Sequence, residues 1–172
     1  MSTKFLVIPP TLNRLIVPQS IVLGSAALLA EPGVEGFEAA VLWLGTIVSA
    51  HEARVTAPYF PRQYTYRSAD GLAVEIPVAE WTALALRLPP GLFVLAKLHT
   101  HGTSAYHSHV DAANPYLSHE GAVAITVPDF ARNPLADFTG CSVNIMRNHR
   151  WVELTAHEVR QLLTVVEDGT DG

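Results

Sequence analysis

The sequence predicts an α/β fold, a single domain over residues 1–172 in which one mixed β-sheet is flanked by helices. Three observations predict it. Hydrophobic residues make up 49% and charged residues 16% of the chain, enough apolar material for one well-buried core. Apolar runs of strand length are separated by Gly and Pro punctuation. Segments with helical spacing are interspersed among them, the pattern of a sheet covered by helices.

Taken in order, Leu15 to Val17 reads as a short strand. Pro18 fits the first turn of a helix reaching about Ala30, and Glu31-Pro32-Gly33 stops it. Phe37 to Ser49, bounded by Gly36, reads as a buried strand, and His51 to Tyr59 alternates as its antiparallel partner. Pro58, Pro61 and a turn at Ser68-Ala69-Asp70-Gly71 mark a loop-rich stretch. Pro77 to Leu88 spaces its apolar residues as a helix does, and Pro89-Pro90-Gly91 ends it. Leu92 to His99 is a further strand, followed by a polar, histidine-rich loop to about Ser108. Ser108 is placed to N-cap a short helix through Asp111 toward Leu117. Gly121 to Val127 and Ser142 to Met146 read as strands, and Asn148-His149 as a hairpin turn before a short strand at Trp151 to Leu154. Thr155 caps a last helix, with Glu158 completing a capping box, and that helix is expected to end near Glu167.

Charge narrows the function classes. Net charge is -5 and the only lysines are Lys4 and Lys97, so the chain has no basic run to meet a nucleic acid backbone. The longest apolar stretch, Leu15 to Ala30, is interrupted by Pro18, Gln19, Ser20 and Ser25 and falls short of the roughly 18 apolar residues that suggest a membrane span. The opening MSTKFLVIPP is too short for a signal-peptide core, and Cys141 as the lone cysteine suits a reducing compartment; the expected location is the cytoplasm, away from membranes.

The informative window runs from Leu98 to Asp111. Five of the eight histidines lie between positions 99 and 119. His99 and His101 sit two apart at the end of an apolar strand, so both imidazoles face one side and can converge on one ion. Asp111, across the loop, supplies an oxygen ligand. Two histidines and a carboxylate leave the fourth tetrahedral position open, the arrangement of a catalytic zinc. Such chemistry also needs a carboxylate to take up and deliver the proton. Spacing alone does not choose it. Glu38 stands out because it enters an otherwise apolar strand, where a charge is costly unless paired or placed at a site; Glu35 is its competitor.

Glu38-Ala-Ala-Val-Leu-Trp-Leu-Gly45, His99-Thr100-His101 and Ser108-His109-Val110-Asp111 together resemble the JAB/MPN metalloprotease family with its JAMM motif. That motif is a glutamate on an early strand, then His-Ser/Thr-His, a spacer, and Ser-x-x-Asp. The resemblance covers roughly Leu15 to Leu154. The chain departs from it twice. Gly102 stands where the family often has proline, and the loop before Ser108 is one residue short. The resemblance implies a JAB/MPN-like mixed sheet of cytidine-deaminase-like layout. It also implies Zn2+ on His99, His101 and Asp111, Glu38 as general base, and Ser108 as a hydrogen-bond donor to the developing oxyanion. The implied reaction is cleavage of isopeptide or peptide bonds at the C-terminus of a ubiquitin-like protein or its conjugates. The chain looks most like stand-alone bacterial members, which accompany ubiquitin-activating-like and ubiquitin-conjugating-like proteins in conjugation or antiviral defence operons. A zinc peptidase or amidase on small substrates would use the same site, and a non-catalytic interaction scaffold of the same fold is the third reading.

Overall fold

The structure, a computed structural model, describes residues 12–68, 71–106, 117 and 119–169. Strands β1 (Arg14–Pro18), β2 (Ala40–Ile47), β3 (Glu52–Tyr59), β6 (Phe93–Thr100), β7 (Val123–Val127), β8 (Ser142–Arg147), β9 (Arg150–Glu153) and β10 (Leu163–Val166) form one mixed sheet in the order β10-β1-β3-β2-β6-β7-β8-β9. Strands β4 (Tyr64–Ser68) and β5 (Gly71–Glu75) form a separate hairpin. The helices are α1 (Gln19–Gly33), α2 (Val78–Arg87) and α3 (Ala156–Leu162). This is the α/β arrangement expected, a mixed sheet flanked by helices, and it is consistent with a JAB/MPN-like fold.

The central strands β2 and β6 pair antiparallel and are buried on both faces, which is why their sequences are continuously apolar rather than alternating. Val41 and Trp43 face the side covered by Ile21, Val22 and Leu29 of α1 and by Val159 and Leu162 of α3. Ala40, Leu42 and Leu44 face the side covered by Trp81 and Leu84 of α2. Trp43 is the largest fully buried side chain, and its indole N–H donates to Ser25 Oγ at 2.8 Å. Truncating such a residue to alanine removes about 3–5 kcal/mol. Gly45 lies at a bulge in β2, where a Cβ would come within 2.0 Å of the Arg54 carbonyl oxygen. The strand can pass β3 this closely only without a side chain.

Several expectations are corrected. The helix expected to stop before Pro32 runs on to Gly33, with Pro32 in its last turn, where the missing N–H costs only one terminal bond. The expected strand Phe37 to Ser49 is shorter, Ala40–Ile47. The loop-rich stretch around Pro61 and Gly71 contains the β4–β5 hairpin, registered from Tyr64 against Glu75 to Ser68 against Gly71. The last helix ends at Leu162, not near Glu167, because Leu163–Val166 (LTVV) extends and pairs in parallel with β1, Leu15 opposite Leu163. Asn148 and His149 do form the two-residue hairpin turn, both at positive φ (51° and 59°), and Thr155 with Glu158 forms the capping box. The short helix expected from Ser108 lies outside the described residues, and so do Ser108 and Asp111 themselves. Among the described residues no helix is long and apolar enough to cross a membrane.

Candidate metal site

β6 delivers His99 at its end and the chain continues directly into His101. Residues two apart on an extended chain share a face. His99 is 1% and His101 7% exposed, and their Nε2 atoms stand 3.2 Å apart. Two imidazole nitrogens on one tetrahedral zinc, each at about 2.0–2.1 Å, lie about 3.3–3.4 Å from each other. The observed separation fits a shared cation. At this distance the two nitrogens can hydrogen-bond to each other, in a direction set by the tautomer, or face one cation together. Imidazole nitrogen is a donor that suits zinc and other borderline divalent metals. Among the described residues no group of three or more His, Cys, Asp or Glu side chains is arranged to hold an ion; Asp111, the third ligand expected from sequence, lies outside them.

Thr100, between the two histidines, points to the opposite face. Its Oγ1 accepts the Ala39 N–H at 2.9 Å, and its own N–H donates to the Ala39 carbonyl at 2.9 Å. This double contact pins the start of β2 against β6 one residue after Glu38. Ala40 pairs with His99 in the register, and Glu38 lies two residues before Ala40, where continued strand alternation would turn it to the face of the imidazoles. Glu38 is 8% exposed, whereas its competitor Glu35 is solvent-exposed.

The other edge of β2 is held by a side chain that sequence reading missed. The β2–β3 register, Leu42 opposite Tyr59, brings Pro61 level with Ala40 if it is extended two residues. Proline has no N–H to offer. The Gln63 carboxamide fills in for it: Oε1 accepts the Ala40 N–H at 2.7 Å and Nε2 donates to the Ala40 carbonyl at 3.0 Å and to the Pro61 carbonyl at 3.1 Å. Nothing in the sequence around Gln63 signals this.

Lys97 and Thr126 complete the floor. Lys97 is buried two residues before His99 on the same face; a lone lysine inside FVLAKLHT was the available signal. Thr126 pairs with His99 across β6–β7 and is fully buried, and its Oγ1 has no hydrogen-bond partner among the described residues. The Tyr106 ring packs edge-on against His101 with centroids 4.6 Å apart. The β4–β5 hairpin borders the site on two sides. The Arg67 guanidinium approaches Gly36, and Leu72 approaches Gly102.

His119 is half-buried, and burial pushes its imidazole below the usual value. His149 is almost fully exposed beside Glu120. Burial, with Asp137 nearby, pushes the Cys141 thiol up to about 12, so it holds no thiolate for nucleophilic attack. His107 and His109 lie outside the described residues.

The chain matches no protein-family profile. It is 29% identical over 150 residues to a curated protein of Sinorhizobium fredii described as "Probable metalloprotease y4jG", an alignment that spans 87% of this chain and 92% of that protein.

Proposed function

We propose that the chain is a zinc-dependent metalloprotease of the JAMM type that hydrolyses a peptide or isopeptide bond at the C-terminus of a ubiquitin-like protein or its conjugate. The observation that carries the reading is the buried His99–His101 pair, its Nε2 atoms 3.2 Å apart, with Glu38 buried two residues before the strand position that pairs with His99. The likeness to a probable metalloprotease over most of both chains supports the same reaction class. In this reading Zn2+ is held by His99, His101 and Asp111. When bound it supplies Lewis acidity toward the scissile carbonyl and lowers the pKa of water to about 7. Glu38 takes the proton from the attacking water and delivers it to the leaving amine nitrogen. Ser108 donates a hydrogen bond to the oxyanion. The paired clamps on Ala39 and Ala40 hold the backbone that carries Glu38, so proton transfer starts from a fixed position. The reading places the protein in the cytoplasm beside ubiquitin-activating-like and ubiquitin-conjugating-like partners, without nucleic acid or membrane contacts.

The test compares wild type and Glu38→Gln after zinc reconstitution, on ubiquitin-like proteins carrying a C-terminal extension and on small acyl-amino acids. The expected result is one zinc per chain in both proteins, cleavage of an extended ubiquitin-like protein by wild type, and a loss of about 100-fold or more in the variant. A variant that cleaves at the wild-type rate sinks the assignment of the base. Cleavage of the small substrates alone replaces the isopeptidase by an amidase. A wild type that takes up no zinc leaves the scaffold reading.

A further inference from the structure

Directly after β7 the backbone enters an unusual turn. Asp129, Phe130 and Ala131 have φ of 52°, 53° and 57°, three consecutive left-handed residues without a glycine among them. Each L-residue there carries a steric cost between its Cβ and the following carbonyl, and such residues normally occur singly. Conformations of this kind persist only where the surroundings over-determine them, and they concentrate at functional sites.

Here the surroundings are the segment that follows His99. Phe130 N–H donates to the His101 carbonyl at 2.9 Å, Asp129 N–H donates to the Thr103 carbonyl at 3.0 Å, and His101 N–H donates to the Val127 carbonyl at 2.9 Å. The main chain of His101 is therefore held at both ends by β7 and its turn. The Phe130 side chain extends the hold. A Cβ on Gly102 would come 2.8 Å from Phe130 Cζ, and a Cβ on Gly33 would come 2.5 Å from Phe130 Cβ. Neither glycine has positive φ, so neither is needed for its conformational freedom. Both are needed for the room they leave. Arg132 closes the arrangement, its guanidinium 5.4 Å from the centre of the Phe130 ring and its Nη2 donating to the Gly33 carbonyl at 3.3 Å.

We propose that the left-handed turn Asp129–Ala131 is a positioning element for the metal ligand His101, with Phe130 as a wedge seated between the bare backbones of Gly33 and Gly102. The inference rests on the zinc reading above. It gives a reason for glycine after the second histidine: any side chain at 102 would meet the Phe130 ring and push the main chain of His101 out of place. Phe130 and Arg132 are positioning residues that act through the main chain of His101.

The test uses the full chain and zinc itself as the probe, with affinity from competition against a chromophoric chelator and site geometry from the visible spectrum of the Co2+-substituted protein. Gly102→Ala is expected to weaken zinc about 10–100-fold, as loss of outer-shell support does, and to shift the Co2+ bands. Phe130→Leu is expected to weaken it less. In Gly102→Ala/Phe130→Leu the alanine should cost far less than it does beside Phe130, within about twofold of Phe130→Leu alone, because the ring it collides with is gone. Thermal unfolding of the metal-free proteins separates a general loss of fold from a change at the site. Should Gly102→Ala fail to fold, Phe130→Leu and Phe130→Ala still decide, since both must weaken zinc and shift the Co2+ bands. Wild-type zinc affinity in Gly102→Ala, or an equal effect of that substitution with and without Phe130, overturns the inference alone. A wild type that binds no zinc overturns it together with the zinc reading.

Discussion

Thr100 offers a sharp test of how the two central strands hold the site. Thr100→Val keeps the shape of the side chain and removes only the Oγ1 that accepts the Ala39 N–H at 2.9 Å. Thr100 is fully buried, so water cannot replace the lost acceptor. A buried donor left without an acceptor costs about 1–3 kcal/mol. In a chain of 172 residues, a cost of about 2 kcal/mol lowers the melting temperature by roughly 4–8 °C. Thr100→Ser keeps the hydroxyl and deletes one methyl, worth about 1 kcal/mol, so it should melt between wild type and Thr100→Val. Zinc stoichiometry should stay at the wild-type value in both variants, because the threonine side chain faces away from the imidazoles. The assay is thermal unfolding of the metal-free proteins followed by circular dichroism, with metal analysis after reconstitution. A Thr100→Val protein that melts within about 1 °C of wild type, or a serine variant as destabilised as the valine one, would refute the clamp.

Two further expectations concern titratable groups. The Thr155 N–H and hydroxyl donate to Glu158 Oε2 at 2.8 and 2.9 Å, and the backbone bond foremost holds this carboxyl below its usual value of 4.5. A depressed pKa in the folded state gives stability that is complete above the unfolded value and is lost as pH falls through the folded one. The melting-temperature gap between wild type and Glu158→Gln should therefore close as pH drops below 4.5; a gap that stays constant into strong acid would count against the capping box as its source. Cys141, its thiol pushed up to about 12 by burial, should react with N-ethylmaleimide far more slowly in the native protein than in urea. Equal rates in the two states would show that the thiol is accessible after all.

The legible parts of this protein are the ones written in local spacing. His99 and His101 share a face because strand side chains alternate, and that reading needs only the two positions and the apolar run before them. The Thr155–Glu158 capping box and the Asn148-His149 turn involve residues within three positions of one another. The features that only the tertiary structure decided join segments remote in sequence. The tail Leu163–Val166 becomes a strand because β1 offers it an edge, although it continues directly from a helix. Gln63 matters because Pro61 falls level with Ala40, which is visible only once β2 and β3 are in register. Gly102 is a spatial requirement of Phe130, and the turn that carries Phe130 is held in its left-handed form by the carbonyls of His101 and Thr103. A sequence fixes by itself what neighbouring residues impose through backbone period and capping, whereas strand partners, close approaches and strained turns depend on which distant backbone supplies the missing bond or the missing room.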